Sequence, residues 1–263
     1  MKKYLLLLSA SALFLLYMGT SCSNSELKPF SAAFYNVENL YDTIDNPLTR
    51  DNDYLPTSKI SWNTERYNRK LDHIARVMSS MEPGHFPTVF GLAEVENRQV
   101  VEDLINTGKL KAAGYKILHK DSPDNRGIDV ALLYDPKVFK PLITRFIRLH
   151  FPSEPDFATR DIIYTKGLVY GVDTVYIFVN HWVSRYGSQE RTDPFRRYTG
   201  QVERLICDSI FNQQPYANIL IMGDLNDNPT DPSIQTSLGA VEPKEPFAKK
   251  QLFDLADLPF SKG

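Results

Sequence analysis

Hydrophobic residues along this chain are grouped in short runs that are typical of β-strands. The runs are rich in Val, Ile, Phe and Tyr, and turn-forming residues bound most of them. They comprise Ser31–Asn36, Thr88–Ala93, Tyr115–His119, Asp129–Tyr134, Leu168–Tyr170, Thr174–Asn180 and Asn218–Met222. Strands therefore dominate the predicted α/β structure, which we expect to contain sheets packed on each other with helices outside.

Two segments have apolar residues at helical spacing instead, so each predicts a helix with one buried face. In Thr64–Met81 the face consists of Tyr67, Leu71, Ile74, Ala75 and Met78. In Pro194–Asn212 it consists of Tyr198, Val202, Leu205, Ile206 and Ile210. Pro194 suits the first turn of the second helix, and Cys207 is predicted to be a small packed residue beside the apolar stripe. Tyr41–Ile60, rich in Asp, Asn and Pro, predicts a long surface loop.

The chain begins with a segment that resembles a bacterial lipoprotein signal. Lys2 and Lys3 precede the apolar run Tyr4–Met18, which is shorter than the roughly 20 residues of a membrane-spanning helix. Small residues then lead to Cys22, a position suited to cleavage and lipidation. A plain secretory peptide with an incidental Cys22 is the alternative, and both interpretations predict export.

These features divide the chain into three predicted parts. Residues 1–21 are expected to be a signal peptide, residues 22–29 a tether and residues 30–263 a single domain. Lipidation at Cys22 would make the mature protein a membrane-anchored lipoprotein, periplasmic or on the cell surface. The N-terminal lipid is its only predicted contact with a membrane.

The composition is that of an ordinary globular protein and argues against several other classes. Of 263 residues, 42% are hydrophobic and 24% are charged, which excludes a wholly disordered, collagen-like or coiled-coil protein. Two cysteines cannot form a disulfide framework. The chain has 30 Lys and Arg against 32 Asp and Glu, a balance that disfavours a strongly basic nucleic-acid coat protein.

Polar side chains that can bind a cation follow two of the predicted strands. Asn36 and Glu38 end the first strand, and period-two geometry would place them on the same side. Glu94 follows an apolar run, where a charge is costly unless it is paired or binds a metal. Hard oxygen ligands of this kind suit Mg²⁺ or Ca²⁺, although a carboxylate taken singly is more commonly solvated or salt-bridged.

Three nitrogen-bearing side chains stand at other strand ends. Arg126 precedes Gly127 and the strand that begins at Asp129, and its guanidinium group suits either phosphate oxygens or a surface acid. His181 leaves a hydrophobic strand directly into a polar loop that carries Arg185. The other four histidines have no comparable context, and most isolated histidines are structural.

The strongest motif follows the last predicted strand, where Gly223 precedes Asp224, Leu225 and Asn226. Strand alternation would point Asp224 and Asn226 the same way. An aspartate there can accept a proton from water, while the amide can hold a phosphate oxygen or the nucleophile. An Asx-rich turn is the alternative for this motif when it is taken alone.

In their order along the chain, these motifs resemble the endonuclease/exonuclease/phosphatase superfamily, which includes deoxyribonuclease I, abasic-site endonucleases, sphingomyelinases and inositol-polyphosphate phosphatases. The resemblance runs from about Phe34 to Asp254. The resemblance rests on the motifs Asn36-Val37-Glu38, Gly91-Leu92-Ala93-Glu94-Val95, Gly127-Ile128-Asp129-Val130-Ala131, Asn180-His181-Trp182 and Gly223-Asp224-Leu225-Asn226. It implies a four-layer α/β/β/α sandwich and hydrolysis of a phosphoester by water with a divalent cation, Mg²⁺, Mn²⁺ or Ca²⁺.

The resemblance implies a role for each residue that matches a family motif. Glu94 would be the main metal ligand, with Asn36 and Glu38 beside it. Asp224 would orient and deprotonate the attacking water, and Asn226 would hold the phosphate. These roles agree with the needs of phosphoryl transfer, in which water is positioned in line and a cation supports the equatorial oxygens.

Three further residues are assigned to the phosphate group. The resemblance implies that His181 stabilises the developing charge. Arg126 lies where some members of the superfamily carry an arginine that contacts the phosphate. Arg185 is a candidate for the same task because of its position shortly after His181.

One motif of the superfamily does not occur in this sequence. The final strand normally carries an Asp-His pair whose histidine contacts the scissile phosphate, whereas neither Asp254 nor Asp257 is followed by His. We therefore expect the sandwich to lack its last strand, in either a truncated or a divergent member. A second function hypothesis follows, in which a surface-anchored protein binds a phosphate ligand but has lost hydrolysis.

The sequence predicts a phosphoester substrate without selecting among nucleic acid, nucleotide, phospholipid headgroup and sugar phosphate. Nucleic acid would need a basic surface, and the acidic balance argues mildly against indiscriminate DNA binding. Helical spacing distributes some members of an arginine-rich stretch onto different faces. The stretch contains Arg185, Arg191, Arg196, Arg197 and Arg204.

Overall fold

The computed structural model describes residues 29–246 and 248–256. The predicted signal peptide, most of the predicted tether and Cys22 lie outside these residues. Within the described part of the chain, no helix combines the length and apolarity needed to cross a membrane.

The first half of the domain forms a four-stranded sheet covered by two helices. In chain order its elements are β1 (Ala32–Leu40), α1 (Thr64–Met78), β2 (Val89–Val95), α2 (Arg98–Ile105), β3 (Lys116–His119) and β4 (Asp129–Tyr134). Short 3₁₀ helices at Asn52–Tyr54 and Gly108–Ala113 lie between them. The strand order is β1-β2-β4-β3, with β1 parallel to β2 and the other pairs antiparallel.

The second half forms another four-stranded sheet with one long helix. Its elements are β5 (Phe139–Ile147), β6 (Ile162–Val169), β7 (Asp173–His181), α3 (Gln189–Gln213) and β8 (Asn218–Asp224), followed by a π-helical turn (Ser233–Leu238), β9 (Ala240–Val241) and β10 (Leu252–Phe253). The order is β5-β6-β7-β8, and β8 runs parallel to β7. Among the described residues β8 is an edge strand, because β10 pairs with β9 and not with this sheet.

Three hydrophobic cores separate four layers. The two sheets face each other across a core that includes Val89, Val130, Leu132, Phe139, Ile163, Ile177, Val179 and Met222. The outer face of the first sheet packs against α1 and α2, and that of the second sheet packs against α3. The predicted four-layer α/β/β/α sandwich is therefore confirmed, while the absence of a last strand stays a prediction.

The two predicted helices are present, and one of them follows the prediction closely. In α1 all five residues of the predicted apolar face are buried. α3 begins earlier than predicted because the Ser188 side chain accepts a hydrogen bond from the Arg191 amide, so Pro194 lies inside the helix and not in its first turn. Leu205, predicted to be buried, is 69% exposed. Cys207 is a buried free thiol, as predicted.

Strand β5 was not predicted from the hydrophobic pattern. It contains Pro141, which cannot donate to a sheet ladder, and much of the strand is exposed. The structure accommodates the proline at the sheet edge, where the pairing of β5 with β6 is irregular between Pro141 and Ile143. The loop predicted at Tyr41–Ile60 is mostly irregular, although Tyr41 and Asp51 within it are buried.

Candidate functional site

The ends of strands from both sheets meet at one edge of the sandwich, and Asn36 joins them. Its side-chain Nδ2 donates to Glu94 Oε1 at 3.2 Å and to Asp224 Oδ2 at 3.0 Å. Glu94 belongs to the sheet of β1, whereas Asp224 ends β8 in the opposite sheet. Two carboxylates therefore converge on one amide, and we call this group the strand-end site.

The backbone at the strand-end site departs from regular strand geometry. The pairing of β1 with β2 shifts register between Asn36 and Leu40, and the pairing of β2 with β4 shifts next to Glu94. Left-handed backbone angles occur at four non-glycine residues of the site: Glu38 (φ 54°), Asn39 (φ 57°), Glu94 (φ 64°) and Asn226 (φ 54°). Such conformations cost free energy, and bulges of this kind redirect side chains, so the surrounding contacts must hold them.

One such contact fixes the Glu94 carboxylate. The backbone N–H of Asn39 donates to Glu94 Oε2 at 2.8 Å, while Oε1 accepts the bond from Asn36. The left-handed turn of β1 thereby supplies a backbone donor to an acid on β2. The Glu94 side chain is only 16% exposed, so this hydrogen bond compensates part of the cost of burying its charge.

Glu38 lies in the irregular part of β1. It is exposed, its N–H donates to Asn36 Oδ1 at 2.9 Å, and its carbonyl oxygen accepts a bond from Lys70 Nζ. No hydrogen bond joins the Glu38 carboxylate to Asn36 or Glu94 in the described structure. The bulge interrupts the regular alternation from which a shared side for Asn36 and Glu38 was predicted, and the role of Glu38 at the site stays a prediction. Asp224, and not Glu38, is the second carboxylate at the Asn36 amide.

Asp224 and Asn226 are held by the end of β7. The Trp182 N–H donates to the Asp224 carbonyl at 2.9 Å, and Asn226 Nδ2 donates to the Trp182 carbonyl at 3.0 Å. The Asn226 N–H also donates to Asp224 Oδ1 at 3.0 Å, which is an Asx turn of the kind that the sequence offered as the alternative. Gly223 permits this close approach of β8 to β7, since a Cβ there would overlap the Asn180 carbonyl oxygen.

His181 is buried at the strand-end site and pairs in register with Asp224. Its Nε2 lies 3.8 Å from Glu94 Oε1, which is longer than a hydrogen bond. Burial, together with the nearby charges of Arg160 and Arg126, lowers the pKa of His181 to about 2. The imidazole is therefore neutral at pH 7 and can donate one N–H to an anion.

Arg160 ties the end of β7 to the loop between β3 and β4. Its side chain is 5% exposed and donates to the carbonyl oxygens of His181, at 3.1 Å, and Trp182. Its Nη1 forms an ion pair with Asp124 at 3.0 Å. Asp124 also accepts the Arg126 N–H at 2.9 Å, so Arg160 connects His181 with the residue predicted to contact phosphate. We call these contacts the Arg160 clamp.

The two predicted phosphate-contacting arginines have different surroundings. The Arg126 side chain is 46% exposed, and its Nε lies 3.4 Å from Asp124. Arg185 instead donates to the Asn226 carbonyl at 2.7 Å and pairs with Asp231 at 2.5 Å. Arg185 thus anchors the loop after β8, and its contact with phosphate stays a prediction.

Tyr54 and Lys70 lie near the strand-end site, and sequence reasoning missed both. Tyr54 stacks on Tyr41 with a centroid distance of 4.2 Å, and burial and the Glu94 charge raise its pKa. Burial lowers the pKa of Lys70 below its usual value, and the charges of Glu38 and Glu94 offset only part of this shift. The sequence signal was weak, because Tyr54 lies in the irregular loop and Lys70 on the polar part of α1.

Comparison with known proteins identifies a matching family and several structures of similar fold. The profile of the Endonuclease/Exonuclease/phosphatase family matches residues 31–262. ANGEL2, a 2′,3′-cyclic phosphatase, is similar in structure with a TM-score of 0.53 and 16% identity, over 78% of this chain and 55% of ANGEL2. The human Nocturnin catalytic domain with bound sulfate has a TM-score of 0.50 and 22% identity, over 67% of this chain and 64% of that one.

A third similar structure is TDP2 from C. elegans, with a TM-score of 0.47 and 22% identity over 63% of this chain. This chain spans 45% of the length of that TDP2 chain. No curated protein matches the sequence. The family profile covers most of the chain, from the start of β1 past β10, and includes every residue of the strand-end site. The chain belongs to the Endonuclease/Exonuclease/phosphatase family.

Proposed function

We propose that this protein hydrolyses phosphoesters with a divalent cation and a water molecule activated by Asp224. The observation that carries the proposal is the convergence of Glu94 and Asp224, one from each sheet, on the Asn36 amide. Membership of the family supports the same chemistry, as does the fold shared with ANGEL2, a 2′,3′-cyclic phosphatase.

The donors of the strand-end site fit a hard divalent cation. Glu94 and Asp224 supply carboxylate oxygens, the Asn36 side chain lies between them, and no Lys or Arg of the described chain forms an ion pair with either acid. Carboxylate oxygens of this kind suit Mg²⁺, Mn²⁺ or Ca²⁺. Glu94 would hold the ion through its carboxylate, and Asn36 would join it through Oδ1, the atom that accepts the Glu38 N–H in this structure, with exposed Glu38 at the rim. When bound, such a cation neutralises charge on the phosphate oxygens and orients the ester.

The remaining residues of the site have roles that their contacts support. Asp224 lies beside the neutral His181 and can accept a proton from water while His181 donates to a phosphate oxygen. Asn226, held against the Trp182 carbonyl, lies at the same edge to position the phosphate. The half-exposed Arg126 guanidinium can reach a phosphate group that approaches from solvent.

The proposal extends to a phosphoester class and not to one substrate. Nucleic acid, nucleotide, phospholipid headgroup and sugar phosphate all present the group that the site is proposed to bind. The test should therefore begin with bis(p-nitrophenyl) phosphate, an activated diester that lacks a specific leaving group, and with p-nitrophenyl phosphate as the monoester.

The direct test of cation use compares the wild type with Glu94→Gln at increasing Mg²⁺ and Mn²⁺. We expect turnover that chelator abolishes, and a Glu94→Gln variant that needs at least ~10-fold more cation. Glu102→Gln is the matched control, because Glu102 lies on α2 with its side chain 41% exposed and pairs with Arg98. Turnover that survives chelation, or binding of phosphate ligands by a folded chain without any turnover, would contradict the proposal.

We also propose that the protein is exported and lipidated at Cys22, on the strength of the N-terminal sequence. Mass spectrometry of the membrane fraction should find the chain beginning at a lipid-modified Cys22. A Cys22→Ser variant should lose both the modification and membrane retention. An unprocessed N-terminus, or wild-type chain only in the soluble fraction, would contradict this proposal.

A further inference from the structure

A second group of potential metal ligands lies near the strand-end site but does not belong to it. His119 ends β3, Asp129 begins β4, and Asp121 lies in the loop that connects the two strands. One ligand atom from each of the three side chains lies within 4.8 Å of the others. The side chains of His119 and Asp129 are 1% and 3% exposed, whereas that of Asp121 is 79% exposed. The group is therefore a buried pair with an exposed carboxylate at its mouth. Asp121 Oδ1 lies 3.8 Å from His119 Nδ1, so the exposed Asp121 side chain would turn toward Nε2 to share one ion with Asp129.

The buried imidazole supplies independent support for a ligand. His119 Nε2 is inaccessible to solvent and has no hydrogen-bond partner within the described ranges. It lies 3.7 Å from Asp129 Oδ2, which exceeds hydrogen-bond length. Two ligands of a tetrahedral ion with bonds near 2 Å are about 3.3 Å apart, so a small adjustment would bring a cation between these atoms. A buried polar atom without a partner is otherwise unfavourable.

The surroundings of Asp129 orient it toward the imidazole. The Ser122 N–H donates to Asp129 Oδ1 at 2.9 Å, which leaves Oδ2 as the oxygen that faces His119. Hydrogen bonds of this kind hold metal-binding carboxylates in place.

We propose that His119, Asp121 and Asp129 bind a divalent transition-metal ion of the Zn²⁺ class, separately from the cation of the strand-end site. One imidazole and two carboxylates form a mixed nitrogen and oxygen donor set that suits Zn²⁺ better than Mg²⁺. The ion would join the two ends of the loop at residues 120–128, which carries Arg126 and the Asp124 of the Arg160 clamp. Its role is to fasten this loop.

The test measures Zn²⁺ binding by equilibrium dialysis in a Glu94→Gln/Asp224→Asn background, which disables the strand-end site. We expect one Zn²⁺ per chain, retained in excess Mg²⁺, with an affinity lowered at least ~10-fold by His119→Gln. Asp121→Asn should also weaken Zn²⁺ binding. Because the Asp121 side chain is exposed, this substitution should not disturb folding, so weaker binding would report the loss of a ligand. His73→Gln, on the polar side of α1, is the control and should bind like the background.

Three results would overturn the inference. The first is the absence of stoichiometric Zn²⁺ in the background variant. The second is an affinity that neither His119→Gln nor Asp121→Asn changes. The third is displacement of Zn²⁺ by an equal concentration of Mg²⁺, which would contradict the assigned class of ion. Because hydrolysis is not measured, these outcomes are independent of the proposed phosphoesterase activity.

Discussion

A buried ion pair beneath the loop that follows β8 gives a prediction about stability. Arg196 on α3 is completely buried, and its Nε lies 2.8 Å from Asp227 Oδ2. Asp227 also pairs with Arg185 at 2.9 Å and accepts a bond from Ser233 at 2.5 Å. The hydrogen bonds that Arg196 donates go to neutral oxygens of Val183 and Thr192. Asp227 therefore supplies the negative charge for a buried guanidinium group.

Asp227→Asn keeps the shape of this side chain and removes its charge. Breaking one partner of a buried pair costs about 3–5 kcal/mol, and we expect about 3 kcal/mol because the asparagine oxygen can still accept a hydrogen bond. Glu65→Gln is the control, since the Arg69–Glu65 pair has a similar distance of 2.6 Å but side chains that are 61% and 77% exposed. An exposed pair contributes at most about 1 kcal/mol.

Urea unfolding followed by circular dichroism measures the loss in free energy of unfolding for both variants. Equal dependence of this free energy on urea concentration would show that each variant exposes the same surface area on unfolding. A second variant, Arg196→Met/Asp227→Leu, should recover much of the stability because it removes both buried charges together. The reasoning is refuted if Asp227→Asn loses no more free energy of unfolding than Glu65→Gln.

Two further predictions concern the buried ionisable residues Glu203 and Arg160. Burial raises the pKa of Glu203 from 4.5 to about 8, so the folded state holds the proton over this range, and its stabilising contribution is lost as pH rises from about 4.5 to 8. Glu203→Gln should flatten this decline in stability, as measured by urea unfolding at pH 5 and pH 8; an unchanged slope would contradict the assignment. Arg160→Met should lower kcat about 100-fold, because His181 would lose the contact that positions it. The control Arg148→Met removes a half-exposed arginine that pairs with Asp161, and it should leave kcat unchanged. Equal kcat values for the two variants would contradict the positioning role of the Arg160 clamp.

Hydrophobic periodicity predicted correctly the helix that packs through a single apolar stripe. All five apolar positions of α1 are buried because this helix packs one continuous stripe against the first sheet. α3 differs, since it buries Arg196 and Glu203 while Leu205 is exposed. Arg196 is buried against Asp227, which lies in the loop after β8, and no helical pattern contains that information.

The candidate site was predictable only where its residues lie in motifs at strand ends. Asn36, Glu94, His181 and Asp224 are brought together as the order of motifs led us to expect. Arg160 was missed because its role depends on carbonyl groups 21 and 22 residues away and on Asp124, 36 residues away.

Backbone irregularity limits what strand alternation can predict for Glu38. Alternation along a strand assumes regular pairing, and the bulge after Asn36 removes that regularity. Glycine usually marks left-handed positions, but here Glu38, Asn39, Glu94 and Asn226 adopt them without a glycine. Their conformations depend on contacts between strands and are not readable from the local sequence.

The central claim is that Asp224 activates water for phosphoester hydrolysis. The most direct measurement is kcat for bis(p-nitrophenyl) phosphate at saturating Mg²⁺ in the wild type, in Asp224→Asn and in a control variant, Asp208→Asn. Asp208 lies on α3, where it pairs with Arg204. Loss of a general base predicts a 10²–10⁴-fold lower kcat for Asp224→Asn alone, in a chain that unfolds at the same urea concentration as the wild type. A folded Asp224→Asn variant with wild-type kcat would contradict the claim.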